Sequence, residues 1–319
     1  MQILENEPMN KHTSFKVGGP ARFFVKAESI DNLKEALAMA RENGLPHFIL
    51  GNGTNLLVSD KGYEGVVITL AGEFSEIADM GKGAFKAGAA VPLGRFARTA
   101  LKQGYAGIHK LAGIPGTLGG AIYMNAGAYG QEIGTHCTQV ATLDEAGNIR
   151  ERSASECAFG YRQSIFQKTG KNGATHPSSA AQAETILSAT FLLESANTAC
   201  ESPEQTVARL EAELQEYMAK RKATQPLNMP NAGSTFKRME RGSADMPQQV
   251  APGYYIEQAG LKGYRIGGAE VSTLHANFIV NAGGATAKDI LDLSDYVKAS
   301  VAKKFGVELQ REIIMLGEF

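Results

Sequence analysis

The stretch LAGIPGTLGGAIYMNAGAYGQ, residues 111–131, decides how this chain is read. It carries no charge, and its Gly116-x-x-x-Gly120 spacing matches a membrane-helix dimerisation motif. The composition argues against a span. Six glycines (113, 116, 119, 120, 127 and 130) fall within 18 residues, together with Pro115 and Asn125. Each glycine costs a helix about 1 kcal/mol against alanine, and proline about 3. No membrane helix is expected. A buried glycine turn is one reading, and the other is a backbone surface that a flat or anionic ligand approaches closely.

Working outward, a second glycine motif, Gly51-Asn52-Gly53-Thr54-Asn55, lies between two strand-like runs. Successive small residues leave backbone N–H groups able to converge on a phosphate. The motif lacks the G-x-G-x-x-G spacing of a dinucleotide fingerprint, and no Gly-Lys-Ser/Thr follows to make a P-loop. A tight hairpin turn explains it equally well alone. Two glycine-rich backbones in one N-terminal region favour a phosphate-bearing cofactor over two structural turns.

Downstream, residues 231–238 read NAGSTFKR. This is no G-x-S-x-G nucleophile elbow. Ser234, followed closely by Lys237 and Arg238, could give a proton near an anionic substrate, although a polar turn is the plainer reading. Arg162 in FGYRQSIF lies among apolar and aromatic residues, where a guanidinium wants a carboxylate or phosphate. A structural salt bridge is the simpler account.

Apolar periodicity predicts helices over 29–44, from Pro92 to Gly104, from a Ser202-Pro-Glu-Gln capping box, and over 286–305. In the helix after Ser202, Val207, Leu210, Leu214, Tyr217 and Met218 should point inward. Short strands are expected at 47–50, 55–58, 66–70 and 313–316, with strand-like pieces reaching about residue 194. Residues 168–184 read as an exposed loop, and no internal repeat is visible. The mixture suggests an α+β chain in two larger units split near residue 200.

The 319 residues allow two or three domains. Lys+Arg 32 against Asp+Glu 33 leaves a net charge of −1, without the basic excess that nucleic-acid binding needs. Cys137, Cys157 and Cys200 fit neither a full set of disulfides nor a zinc pattern, which suggests a reducing, cytoplasmic location. The six histidines show no i, i+4 pair, so no metal site is expected. The opening MQILENEPMNKHTSF has no apolar run, so no secretory signal is expected. Glycine, at 36 of 319 residues, exceeds the average usage of about 7%.

Seven segments together resemble the UDP-N-acetylenolpyruvoylglucosamine reductase family: 12–21, 50–60, 111–133, 159–166, 230–238, 260–281 and 306–318. They span almost the whole chain in order. The resemblance implies an FAD-binding unit of two α+β subdomains, of the PCMH/vanillyl-alcohol-oxidase-like kind, at about 1–72 and 73–200. A C-terminal α+β substrate domain at 201–319 would follow, its last strand packing back near the flavin. It implies non-covalent FAD, NADPH as reductant and a UDP-sugar substrate, with no nucleic-acid or membrane partner and a monomeric state.

Carried over by position, the resemblance makes Arg162, Ser234 and Glu312 catalytic, with Ser234 the proton donor. FAD would be held by Gly51, Asn52, Gly53, Thr54, Asn55 and Leu56, by Gly113, Ile114, Pro115, Gly116, Thr117, Gly119 and Gly120, and by Asn125, Ala126 and Gly127. Lys237, Lys262 and His275 would bind substrate. Three departures stand out: His109-Lys110 replaces an acidic-aromatic pair, Gln310-Arg311 replaces Glu-Pro, and the 168–184 loop is too short for the tyrosine-bearing insertion of one subclass. The rivals are a flavin oxidase of the same architecture and a flavoprotein sensor. No His or Cys resembles a covalent flavin attachment site, which disfavours the oxidase. A sensor would not need Ser234, Arg162 and Glu312.

Overall fold

A computed structural model describes residues 1–144, 146–167, 184–239 and 251–319. The chain is α+β and divides into two compact units. Unit 1 comprises Met1–Glu5, Arg22–Asn52 and Glu64–Arg221, and unit 2 comprises Asn6–Ala21, Gly53–Tyr63 and Lys222–Phe319.

Unit 1 is built mainly on two larger sheets. The first sheet orders its strands Gln2–Pro8, Pro20–Ala27, Tyr63–Leu70 and His47–Leu50, the last two parallel. Helix α1 (Ile30–Glu42) covers it. Ser29 caps α1 by accepting the Asn32 N–H, and Gly44 follows at φ +63°. Leu33, Ala36 and Ala40 bury against Val25, Val66 and Ile68. The second sheet is antiparallel throughout, in the order Ile149–Ser153, Cys137–Asp144, Glu184–Leu192, Ala84–Gly88, Ile77–Gly81. Helices α2 (Leu93–Leu101) and α3 (Leu118–Met124) contribute to its core, where Phe85, Phe96 and Phe191 are fully buried. Ring centroids lie 6.2 Å apart for Phe85–Phe96 and 4.8 Å for Phe96–Phe191.

Helix α4 (Pro203–Thr224) starts at the expected capping box. The Gln205 N–H donates to Ser202 Oγ at 3.3 Å and the Ser202 N–H to Gln205 Oε1 at 2.8 Å. Leu210 and Leu214 bury against Leu101, so α4 as far as Arg221 belongs to unit 1. Apolar packing thus puts the unit boundary after Arg221, where sequence composition placed it near residue 200.

Unit 2 draws on both ends of the chain. Its three-stranded antiparallel sheet (Arg265–Ile266, Ala269–Val271, Ile279–Asn281) packs with helices α5 (Pro252–Gln258) and α6 (Ala287–Phe305) around Phe15, Leu57, Phe236, Leu293 and Val297. Ile314–Leu316 pairs in parallel with Leu56–Val58, which brings 53–63 into this unit. Thr286 and Asp289 form a capping box on α6. The Asp60 carboxylate also accepts the N–H groups of Ala287 at 2.8 Å and Lys288 at 2.9 Å.

Among the described residues, no helix is long and apolar enough to cross a membrane, and no group of three or more His, Cys, Asp or Glu could hold a metal ion. All three cysteines are free. Burial pushes the thiol of Cys137 up to about 12 and that of Cys157 up to about 11.

Candidate active site

The glycine segment of unit 1 breaks into a 3-10 turn at His109–Gly113, helix α3, and a small hairpin pairing Gly127–Ala128 with Gln131–Glu132. Thr117 caps α3 by accepting the Gly120 N–H at 3.3 Å. The N–H groups of Leu118 and Gly119 donate to the carbonyls of Val91 and Ala89, both at 2.8 Å, and Leu93 donates to the Gly116 carbonyl. Those long-range bonds hold a helical turn that its glycines disfavour. Ile114 packs on the second-sheet core, while Pro115 and Gly120 are exposed.

The two glycine motifs meet within this unit. A Cβ on Gly51 would lie 2.7 Å from Thr117 Oγ1. A backbone without side chains, brought against the first turn of α3, suits close approach by a phosphate, so Gly51, Asn52 and Thr117 fit a pyrophosphate-bearing cofactor. GNGTN passes from unit 1 to unit 2 after Asn52.

At the other end of α3, Asn125 takes φ +42° and is 1% exposed. Its Nδ2 donates to Glu132 Oε2 at 2.9 Å and to the Gly160 carbonyl at 2.8 Å, while Oδ1 accepts the Gly134 N–H at 3.0 Å. Both of its amide hydrogens are spent on the protein, so this side chain braces the loops. Ala126 is likewise tied through its backbone, donating to Ala121 and accepting from Ile133.

Asn125 thereby anchors the turn that carries Arg162. Gly160 and Gln163 exchange two backbone hydrogen bonds of 3.0 and 3.1 Å, and Arg162 sits between them at φ +52°. A non-glycine residue in this conformation costs about 1–2 kcal/mol, and such strain gathers at functional positions. Arg162 Nη2 donates to the Gly127 carbonyl at 2.9 Å, and its guanidinium lies 5.0 Å from the Tyr161 ring centroid. A Cβ on Gly127 would stand 3.3 Å from Arg162 Nη1. The same Cβ would meet the Gln131 carbonyl oxygen at 2.8 Å and Glu132 Cγ at 2.9 Å, so the hairpin itself requires glycine here first.

In unit 2, Ser234 lies on a segment threaded between two others. Thr235 donates its N–H to the Asn277 carbonyl at 2.8 Å and accepts the Glu312 N–H on its own carbonyl at 2.8 Å. Phe236 exchanges two bonds with the Asn277 side chain: its N–H donates to Oδ1 at 3.1 Å, and its carbonyl accepts from Nδ2 at 2.9 Å. The Lys237 N–H reaches the Gln310 carbonyl. Ser234 and Glu312 are thus drawn to one place by adjacent backbone pairing. Both are half-buried, and among the described residues the Ser234 hydroxyl has no hydrogen-bond partner.

Asn55 joins the same cluster, its Nδ2 donating to the Glu312 carbonyl at 3.1 Å and its own carbonyl accepting the Ile314 N–H at 2.9 Å. Leu56 is buried in the strand that follows, and Thr54 is half-buried beside it. Gly53 has a structural reason to be glycine whatever binds there. At φ +60°, a Cβ there would fall 2.1 Å from the His12 carbonyl oxygen.

His275 is half-buried, its Nδ1 accepting the Asn277 N–H at 3.2 Å. Burial, aided by Lys262, holds its pKa below the ordinary value, so the neutral ring carries its proton on Nε2. Lys262 Nζ pairs with Glu257 at 2.7 Å.

Two of the sequence departures have structural uses. His109 Nε2 meets Glu213 of α4 at 3.2 Å, and Lys110 Nζ lies 5.0 Å from the Tyr217 ring centroid. Arg311 Nε donates to Ser294 on α6 at 2.8 Å, and its Nη2 pairs with Asp295. The third departure rests on 168–184, of which 168–183 lie outside the described residues. Sequence reasoning missed Thr235 and Asn277. The available signal was an Asn inside the apolar run HANFIV, which when buried must find partners.

Residues 21–153 match the profile of an FAD binding domain, and residues 225–316 match the C-terminal domain of UDP-N-acetylenolpyruvoylglucosamine reductase. A UDP-N-acetylenolpyruvoylglucosamine reductase of Caldanaerobacter subterraneus subsp. tengcongensis is 44% identical, over 99% of this chain and 94% of the relative. One from Alkaliphilus oremlandii is 40% identical over the same shares. The crystal structure of the Thermus caldophilus UDP-N-acetylenolpyruvylglucosamine reductase superposes with a TM-score of 0.75 at 31% identity, covering 99% of this chain and 98% of that one. With an FAD-binding domain, a matching C-terminal domain and end-to-end similarity, this chain belongs to the UDP-N-acetylenolpyruvoylglucosamine reductase family.

Proposed function

We propose that the chain catalyses the NADPH-dependent, FAD-mediated reduction of UDP-N-acetylglucosamine enolpyruvate to UDP-N-acetylmuramate, a cytoplasmic step of peptidoglycan synthesis, with its FAD held non-covalently. The observation that carries the reading is the Ser234–Glu312 cluster: among the described residues the Ser234 hydroxyl has no hydrogen-bond partner, and the Glu312 N–H bonds to the carbonyl of the adjacent Thr235. Bound FAD supplies the hydride, taken from NADPH, that reaches the enol ether double bond.

The remaining chemistry belongs to side chains. Adding hydride to the terminal carbon leaves negative charge on the carbon bearing the carboxylate. Arg162 clamps that carboxylate and stabilises the charge delocalised into it. Ser234 Oγ–H gives its proton to the same carbon, so hydride and proton together saturate the bond. Lys237 and Arg238, following in sequence, ease the loss of that proton. Glu312 orients the reacting groups beside Ser234. Lys262 and the neutral His275, a donor through Nε2, hold polar groups of the UDP-sugar. Gly51, Asn52 and the 113–127 segment hold the pyrophosphate of FAD.

The test is stopped-flow spectroscopy on Ser234→Ala. Bleaching of the flavin by NADPH should proceed near the parent rate, because no proton is needed at the substrate carbon. Reoxidation by the enolpyruvyl substrate should slow by about 10²–10⁴-fold. Reoxidation at the parent rate would remove Ser234 as the donor.

A further inference from the structure

Arg221 is the last residue of α4 within unit 1, and it lies against the start of the glycine segment. A Cβ on Gly113 would stand 3.1 Å from both Cδ and Nη1 of Arg221, and 2.9 Å from Met218 Sδ. A guanidinium occupies the room that glycine leaves. The surroundings are aromatic and cationic. Tyr129 packs on Tyr217 with ring centroids 4.4 Å apart, and its hydroxyl donates to the Tyr217 carbonyl at 3.4 Å. Lys110 lies over the same Tyr217 ring. Tyr129 takes φ +52°, a further strained residue in this segment. Burial pulls the Arg221 pKa down, partly opposed by the Tyr129 phenol.

A flat fork beside a side-chain-free backbone matches the oxygens of a phosphate. The reaction derived above uses Arg162 but leaves Arg221 without a role. We propose that Arg221 is a diphosphate-binding residue, its guanidinium held at Gly113 to pair with the pyrophosphate of a bound nucleotide. The inference rests on the reading of the chain as a nucleotide-using flavoenzyme. FAD, NADPH and the UDP-sugar share that group, so the experiment separates them.

Parent, Arg221→Gln and Arg221→Lys proteins are stripped of flavin and titrated with FAD and with riboflavin, which lacks phosphate. Flavin-loaded proteins are titrated with NADP⁺ and with UDP. Loss of one charge-assisted pair should weaken one of the three phosphate ligands by about 10- to 150-fold in Arg221→Gln. Riboflavin should bind as before. Arg221→Lys keeps the charge but not the fork, and should weaken the same ligand by about 3-fold or more.

The arm that weakens identifies the nucleotide. If FAD, NADP⁺ and UDP all stay within about twofold of parent values, or if riboflavin weakens as much as FAD, Arg221 is a brace for α4 and the proposal falls. Should Arg221→Gln fail to fold, the same comparison on Arg221→Lys decides. Failure of the parent to take up flavin would count against the enzyme reading itself, while the UDP arm would still report on Arg221.

Discussion

Replacing Asn277 with leucine, close to it in volume, tests whether the Ser234 cluster is built as described. Asn277 is 6% exposed, and its amide satisfies both the N–H and the carbonyl of Phe236, itself 1% exposed. Leucine would leave both backbone groups buried without partners. At about 1–3 kcal/mol for each orphaned group, the loss is roughly 2–6 kcal/mol. The Asn277 backbone carbonyl still accepts from Thr235 in the variant, so the segment should loosen rather than detach. At about 4 °C for each kcal/mol in a domain of this size, the unit 2 melting transition should fall by roughly 8–24 °C. Calorimetry follows that transition, and single-turnover reoxidation measured well below it reports the chemistry. Because Ser234 is two residues from Phe236, reoxidation should slow while flavin reduction by NADPH stays near parental. A variant melting within about 2 °C of parent and reoxidising normally would refute the account of how Ser234 is held.

Two further predictions concern backbone room and acid. Gly53→Ala places a methyl group 2.1 Å from a backbone oxygen at φ +60°, so the flavin-free protein should already melt lower. An unchanged apoprotein melt with lost flavin binding would return Gly53 to the role of phosphate space. Burial holds His109 and His275 below their ordinary value of 6.5. The unfolded chain therefore binds protons first, and the stability each contributes is complete above 6.5 and drains as pH falls through the depressed folded values. Between pH 7.5 and 5.0, His109→Gln and His275→Gln should each lose less melting temperature than the parent, and equal losses would show that these rings do not set the acid sensitivity.

Much of the local structure was legible because its causes are local. Ser29, the Ser202 box and Gly306 mark helix ends through side chains or φ values that any context would respect. What escaped depends on distant partners. Helix α3 forms in spite of its glycines because Ala89 and Val91 supply acceptors some thirty residues earlier. The strand at Gln2–Pro8 is polar and largely exposed, and carries little alternation to detect. Family resemblance proposes Ser234, Arg162 and Glu312 as catalytic, whereas it does not point to the residues that hold their segments: Asn277 and Asn125 act through backbone groups that only the fold brings near. The unit boundary moved for the same reason, since helix periodicity cannot tell which core α4 will join.

Pairing Leu56–Val58 with the C-terminal strand sets a timetable for biosynthesis. Asn55 and Glu312 bond across 257 residues of chain. At about 5–20 residues per second, an emerging Asn55 waits roughly 13–50 s before its partner leaves the ribosome. Through that interval the LLV strand has no C-terminal neighbour, and unit 2 cannot close its core. The nascent protein thus carries an unmated apolar strand while those 257 residues are made. A chain stopped just before Ile314 would therefore hold Arg162, Ser234 and Glu312 and still lack the strand that mates with Leu56–Val58.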